Sequence, residues 1–278
     1  MTKATKYVAP TLTVSSFMSR GVGALKKLDG ITLPADIVTF LNKKVANAQQ
    51  VRAAEIKSPT FTDLANRLGA GGTVTAEDIV AEQAAERMRE LQGRAHEIAL
   101  AAIDAAVQDY RDDIIAEVSE QLVTPAVSKM QTAAHLAGSD PGALFASGRD
   151  KDAKTLRDAV AAHADLVRAY DIRAALGVQT RNLGPCAAWQ PHDQLNTPDV
   201  DGNGTVTVWR DQLTEKQARD FGRCMELVSR GAVPWLPTED QAVEAQGDVV
   251  AEHNANATPA RLPQNYKVNG RATMWHNG

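Results

Sequence analysis

Rings are scarce in this sequence: aromatics make up 5% of 278 residues, and between Phe61 and Phe145 the only one is Tyr110. Thick globular cores recruit large rings. That stretch must therefore seal its contacts with Ala, Ile, Leu and Val, as thin helix-on-helix seams do. All four Trp (Trp189, Trp209, Trp235, Trp275) fall in the last third. Cysteine is nearly absent. Cys186 and Cys224 are too few for a disulfide framework, and with His192 they match no closed zinc pattern, because no C-x2-C pair exists. No apolar run approaches the ~20 residues that span a bilayer. The opening M-T-K-A-T-K-Y-V-A-P lacks the apolar centre of a signal peptide.

Bulk positive charge is also missing. The net charge of −4 gives no general attraction to nucleic acid or anionic lipid, which speaks against both as partners. The charge is segregated, however. Residues 1–57 carry nine Lys/Arg against three acids, or +6, whereas residues 77–122 carry four Arg against twelve acids, or −8. Such blocks read as solvated faces or as complementary docking surfaces. On the docking reading, Lys26, Lys27, Lys43 and Lys44 of one copy meet Asp109, Asp112, Asp113 and Glu117 of another.

What is present in quantity is helix. From Thr75 to about Val123 there is no Pro and only Gly93 among glycines, and the residues are strong helix formers. Thr75-Ala-Glu-Asp78 forms a capping box at its start. An apolar stripe runs Val80, Ala84, Met88, Leu91, Ala95, Ile98, Ala102, a heptad-like seam. Asp109 falls at a later seam position, and the stripe resumes in a new register as Ile103, Val107, Tyr110, Ile114, Val118, Leu122. Such a shift resembles a stutter in a coiled coil, or a helix changing neighbours within a bundle. Pro125 is expected to end or kink the element.

The spacing predicts a mainly α fold: a long-helix bundle or coiled-coil-like strut, a smaller α+β C-terminal region, and extended terminal arms. The expected parts are an N-terminal arm at 1–33 and a helical domain at 34–177 with its long helix at about 75–123. A small α+β region with a hairpin and a capped helix follows at 178–231, then an extended C-terminal arm at 232–278. A helix at about 150–176 shows a stripe of Leu156, Val160, His163, Val167, Tyr170 and Ala174, closed by Gly177. His163 on that stripe reads as a satisfied core histidine.

Two constellations touch chemistry. Asp199, Asp201, Asn203 and Thr205 alternate around Gly204 like the first half of a Ca²⁺ loop. The twelfth position is Arg210 where Glu is needed, so a hairpin built on the Asp-Gly and Asn-Gly turns is the stronger reading. Residues 60–92 resemble a helix-turn-helix, with Leu64-Ala65 and Leu68-Gly69 ahead of Thr73-Val74-Thr75. The would-be recognition helix begins Ala-Glu-Asp, acidic where phosphates and base edges call for Arg, Lys or Asn. There is no P-loop, no G-x-S-x-G and no H-E-x-x-H.

These readings converge on a non-enzymatic structural or assembly protein that needs no cofactor and partners copies of itself or other subunits. In architecture the chain resembles bacteriophage virion proteins of heads and necks, which combine long helices with terminal arms. That resemblance implies synthesis in the cytoplasm and residence in a particle. The alternatives are an enzyme with a site assembled from residues 178–237 and a DNA-binding regulator using residues 60–92.

Overall fold

A computed structural model describes residues 4–10, 19–56, 60–178, 184–190, 198–200, 206–209 and 214–256, with backbone alone for 184–185, 198–200, 206–209 and 249–256. The fold is mainly α with a small α+β part. Contacts divide the chain into two compact units, 1–111 and 112–278. The boundary lies inside the single helical domain that periodicity suggests.

The first unit begins with β1 (Ala4–Lys6), antiparallel to β2 (Thr32–Pro34). Between them lies α1 (Arg20–Lys27), and α2 (Ala35–Ala53), α3 (Phe61–Gly69) and α4 (Ala76–Asp109) follow. Both α1 and α2 pack on α4. Ser19 caps α1 through its hydroxyl, which accepts from Val22 N–H at 3.1 Å. The same hydroxyl donates to Asp104 Oδ1 at 2.6 Å, and Gly21 N–H donates to that oxygen at 2.7 Å. One carboxylate on α4 thus pins the start of α1. Gly21 is needed there, because a Cβ would sit 2.8 Å from Asp104 Oδ1 and 3.0 Å from Asp104 Cα. At the other end of the packing, Gln92 Nε2 donates to the carbonyls of Val51 at 2.9 Å and Ala54 at 2.7 Å, closing the C-terminus of α2.

Residues 1–33 are therefore not an arm throughout. Tyr7, Val22, Ala24, Leu25, Leu28, Ile31 and Leu33 are buried in the first unit. The strand that pairs with β2 lies near the start of this segment, at Ala4–Lys6, and residues 11–18 lie outside the described set.

The long helix is also shorter than its composition suggests. It stops at Asp109, with Tyr110 at φ −106° and ψ 12°. Tyr110 packs edge-on against Phe40, ring centroids 5.4 Å apart, within the first unit.

The second unit opens with α5 (Arg111–Val118). A single π turn follows at Ser119–Val123, and α6 (Thr124–Thr132) continues from it. The widening has a cause. Pro125 cannot donate to the carbonyl four residues back and its ring crowds that turn. Thr124 N–H donates to Ser119 O instead, five residues back, and the helix passes through the proline without ending. Next come α7 (Pro141–Ala146) and α8 (Asp150–Ala175), against which α6 and α7 pack. The buried face of α8 is Ala153, Leu156, Ala159, Ala162, His163, Leu166, Ala169, Tyr170 and Arg173. The expected stripe members Val160 and Ala174 are exposed instead. Alanines let neighbours approach on the face next to the larger apolar side chains, so close packing outweighs hydropathy there.

β3 (Pro198–Val200) and β4 (Val206–Trp209) pair antiparallel, as the hairpin reading requires. Thr214 and Gln217 form the expected capping box for α9 (Glu215–Arg219). Asp220 then starts a separate helix, α10 (Phe221–Ser229), by accepting from Arg223 N–H at 2.8 Å. The segment after Gly231 is extended only briefly. Gln190 N–H donates to Val233 O, and Trp235 N–H donates to Ala188 O. The chain then forms α11 (Glu239–Asn256), where an extended arm is expected from the prolines. Thr238 and Gln241 cap its start reciprocally, and Ala242 and Ala245 are buried. Residues 257–278 lie outside the described set.

Candidate interaction surface

Packing of α1 and α2 decides which side of α4 is buried. The inner face is Ala85, Ala99, Leu100, Ile103, Ala106 and Val107, joined by Glu82. That face lies beside the heptad stripe and does not coincide with it. Val80 is 64% exposed, Met88 54%, Leu91 59% and Ile98 70%, and Ala84 and Ala95 are exposed between them. The seam expected to be the helix's buried face is thus uncovered within the chain. From Ile103 the second register takes over, and Ile103, Val107, Ile114 and Val118 are buried. The change of register marks the place where the apolar stripe turns from solvent to core. On α3, Phe61 and Leu68 are exposed as well, while Leu64 is buried.

The sequence-predicted interaction residues fall in both units. Lys26 and Lys27 are exposed in the last turn of α1. Lys43 is exposed on α2, and half-buried Lys44 holds its ammonium 5.0 Å from the centre of the Phe40 ring. Asp109 is exposed at the end of α4. Asp112 and Asp113 are exposed on α5 in the second unit, and half-buried Glu117 accepts from Gln121 Nε2 at 3.2 Å. α1 and α2, which carry these lysines, pack on α4 of their own chain.

The α3–α4 pair carries acid where DNA contact calls for base. Both helices have reciprocal capping boxes, Thr60 with Asp63 and Thr75 with Asp78. The Thr75 N–H holds the Asp78 carboxyl below its ordinary range, and Arg67 adds to this through an ion pair of 3.0 Å. The N-terminus of α4 is thus filled by its own carboxylate. Of the Ca²⁺ fallback set, Asp199 lies in β3 opposite Val208. Asp201, Asn203 and Thr205 lie outside the described residues. Among the described residues, no group of three or more His, Cys, Asp and Glu could hold a metal ion.

Chemistry in the second unit is quiet. Burial pushes the Cys186 thiol up to about 11 and the Cys224 thiol up to about 12, which makes both poor nucleophiles. Arg173 is buried on α8. It donates to the Ala187 carbonyl and pairs with Glu215 at 2.7 Å, its guanidinium 5.2 Å from the Tyr170 ring centre. Glu215 also holds Arg219, which reaches Asp171 at 2.8 Å. This network ties α8 to α9. No motif announces Arg173; its only sequence signal is an Arg one turn after Tyr170's neighbour Ala169 on a buried stripe.

His163 is the core histidine that its position suggests. Its Nε2 lies 2.8 Å from the Ala218 carbonyl, so that nitrogen carries the hydrogen, and Phe221 packs edge-on at 5.5 Å. Burial pushes its pKa below the ordinary 6.5, with the Ala218 carbonyl and Asp220 pulling the other way. The unfolded chain therefore takes up this proton first as pH falls below 6.5, and stability is lost from there downward until the folded ring also titrates. We expect the denaturation midpoint, followed by Trp fluorescence, to drop less between pH 7.5 and 5 in His163→Gln than in the parent. Equal drops would remove His163 as a contributor.

A cleft of about 320 Å³ opens beside the π turn. Ser119, Thr124, Ser128 and Gln131 line one side, and Gln190, Pro234 and Trp235 the other. Val123, Val127, Val233, Pro234 and Trp235 add an apolar lining to these hydroxyls and amides, and none of the lining side chains moves protons near neutral pH.

No helix among the described residues is long and apolar enough to cross a membrane. Comparison with known proteins finds no matching family model, no similar curated protein and no similar solved structure.

Proposed function

We propose that this chain is a non-enzymatic assembly protein, a subunit of a multi-subunit particle of the kind built in bacteriophage heads and necks. One observation carries the reading. Three large apolar side chains on α4, Met88, Leu91 and Ile98, each more than half exposed, recur at heptad spacing beside a face that is already packed, with exposed Val80 further along the helix. Monomers rarely leave apolar patches of more than a few hundred Å² open to water, and heptad spacing is the pattern by which one helix receives another. The partners are further copies of the chain or other subunits. Lys26, Lys27 and Lys43 supply exposed charge that would steer such contacts, more strongly at low salt.

The enzyme alternative would centre on the cleft at the π turn. Its neutral lining and the high thiol pKa values at Cys186 and Cys224 favour assembly over chemistry. The regulator alternative is weakened by the acid-capped start of α4.

Light scattering on the full chain tests the reading. The parent should associate as concentration rises. Leu91→Glu with Ile98→Glu should shift it to monomer while far-UV circular dichroism stays unchanged, because both positions are solvent-facing within the chain. A parent that remains monomeric at every concentration and joins no particle sinks the proposal.

A further inference from the structure

We infer that the cleft beside the π turn is a saccharide site that takes a neutral sugar ring against Trp235. This goes beyond the assembly reading and does not rest on it. The π turn builds the first wall. Thr124 N–H donates five residues back, to Ser119 O, so that turn holds one residue more than an α turn. Every later side chain therefore falls about 100° behind its α-helical phase. In an unbroken α-helix Ser119, Thr124, Ser128 and Gln131 would spread over about half the circumference. With the extra residue they gather within about 80° of one another, on one side of the cleft. The opposite wall is a short two-stranded clasp. Gln190 N–H donates to Val233 O at 2.9 Å and Trp235 N–H to Ala188 O at 3.0 Å, which pairs Trp189 with Pro234. Side chains alternate along such a pair, so Gln190, Val233 and Trp235 share one face. The Trp235 ring is held at its edge, where Nε1–H donates to Cys186 O at 3.0 Å, so its orientation is set.

The lining selects the ligand. Among the described residues no lining side chain carries a charge, although charged residues make up 23% of the chain. A phosphate, carboxylate or ammonium would lose water there with no counter-charge in return. A pure hydrocarbon would cover hydroxyls and amides without satisfying them. A neutral molecule that alternates apolar and hydrogen-bonding surface meets neither cost. A pyranose ring is such a molecule. Its C–H face is weakly positive and meets the negative face of an indole, while its hydroxyls donate and accept around the rim. Ser119, Ser128, Gln131 and Gln190 hold no side-chain hydrogen bond to other described residues, and their hydroxyls and amides also donate and accept. An added peptide strand fits less well. Val233 O and Trp235 N–H are already paired inside the clasp, and Pro234, which faces outward between them, has no N–H to give. The volume of about 320 Å³ lies at the small end of the ~300–1,000 Å³ range of ligand pockets, which suits a short oligosaccharide or the end of a longer one.

Titration of the full chain with maltotriose, cellotriose and chitotriose, up to millimolar concentrations, tests this. Saturation-transfer NMR reports contact and Trp fluorescence reports the site. The expected result is saturable binding of at least one of these sugars with a change in Trp emission, and weaker binding of the acidic trigalacturonate. Trp235→Ala should weaken binding on the order of tenfold or more. That variant also loses the contact to Cys186, so Ser128→Ala and Gln131→Ala, both exposed on α6, read the site without disturbing the fold. Each should weaken binding about five-fold, the worth of one hydrogen bond. Failure of every neutral sugar to bind would overturn the inference. So would binding that survives the three variants, which would place the sugar elsewhere, or tighter binding of trigalacturonate. Binding of acetyl-Pro-Ala-Pro-amide in place of the sugars would make the cleft a peptide site, again overturning it. None of these outcomes touches the assembly reading, which light scattering judges separately.

Discussion

Arg173→Ala should cost the second unit about 3 kcal/mol, among the largest effects of any single substitution in this chain. The guanidinium is 1% exposed, and its loss leaves the Ala187 carbonyl without its donor and opens a void beside Tyr170. Glu215 suffers less, because Arg219 still holds it at 2.7 Å. Arg219→Ala is the internal control. Its side chain is 30% exposed and its partners Asp171 and Glu215 also meet water, so screening should keep its cost below roughly 1 kcal/mol. All four Trp belong to residues 112–278, so denaturation followed by Trp fluorescence reads this unit alone. Equal midpoints for the two variants would show that burial of Arg173 matters less than its geometry implies.

Gly21→Val should strike the first unit and leave that fluorescence signal in place. A Cβ at position 21 meets the Asp104 carboxylate at 2.8 Å and the backbone of α4 at 3.0 Å. The carboxylate cannot swing clear without releasing the Ser19 hydroxyl and the Gly21 amide. Overpacking of this kind costs ~1–3 kcal/mol, and loss of either hydrogen bond to the charged Asp104 adds ~1.5–3 more. Far-UV circular dichroism should therefore show an early loss of helix in denaturant while the Trp signal keeps its midpoint. Unchanged helix stability would mean that α1 can lift from α4 at no cost, and would sink the close-approach account of Gly21.

Local chemistry was legible where side chains act on their own backbone. The capping boxes at Thr75 and Thr214 start helices where they predict them, and α8 stops before Gly177, which holds φ 78°. Asp-Gly and Asn-Gly announce a hairpin, and β3 and β4 on either side of them pair antiparallel, the turn residues lying outside the described set. What hydropathy could not tell was which apolar stripe faces inward. On α4 the choice falls to Gln92, Ala99 and Asp104, whose amide, methyl group and carboxylate receive α2 and α1. None scores as apolar and large, so periodicity points to the neighbouring stripe instead. Gly21 carries no hydropathy signal for the same reason. Gly21 lies inside α1 because a helix must come close there, and that need appears only once α4 is in place. Likewise, prolines after Gly231 suggest an extended tail, whereas the capping pair Thr238–Gln241 begins a helix two turns later than a proline-based reading looks.

The uncovered stripe of α4 and its buried face share one cylinder, which puts a phase condition on the length of this helix. Each residue turns an α-helix by about 100°, so a single deletion near Gly93 would swing Val80, Met88 and Leu91, with the buried Glu82 and Ala85, round to another side while Ile98 and the inner face from Ala99 onward stayed put. Loss of seven residues would rotate the same segment by only ~20°. Insertions and deletions tolerated between Thr75 and Ala102 should therefore come in sevens, or in threes and fours that compensate. The helix acts here as a ruler graduated in heptads, on which the angle between two faces is fixed by a count of residues.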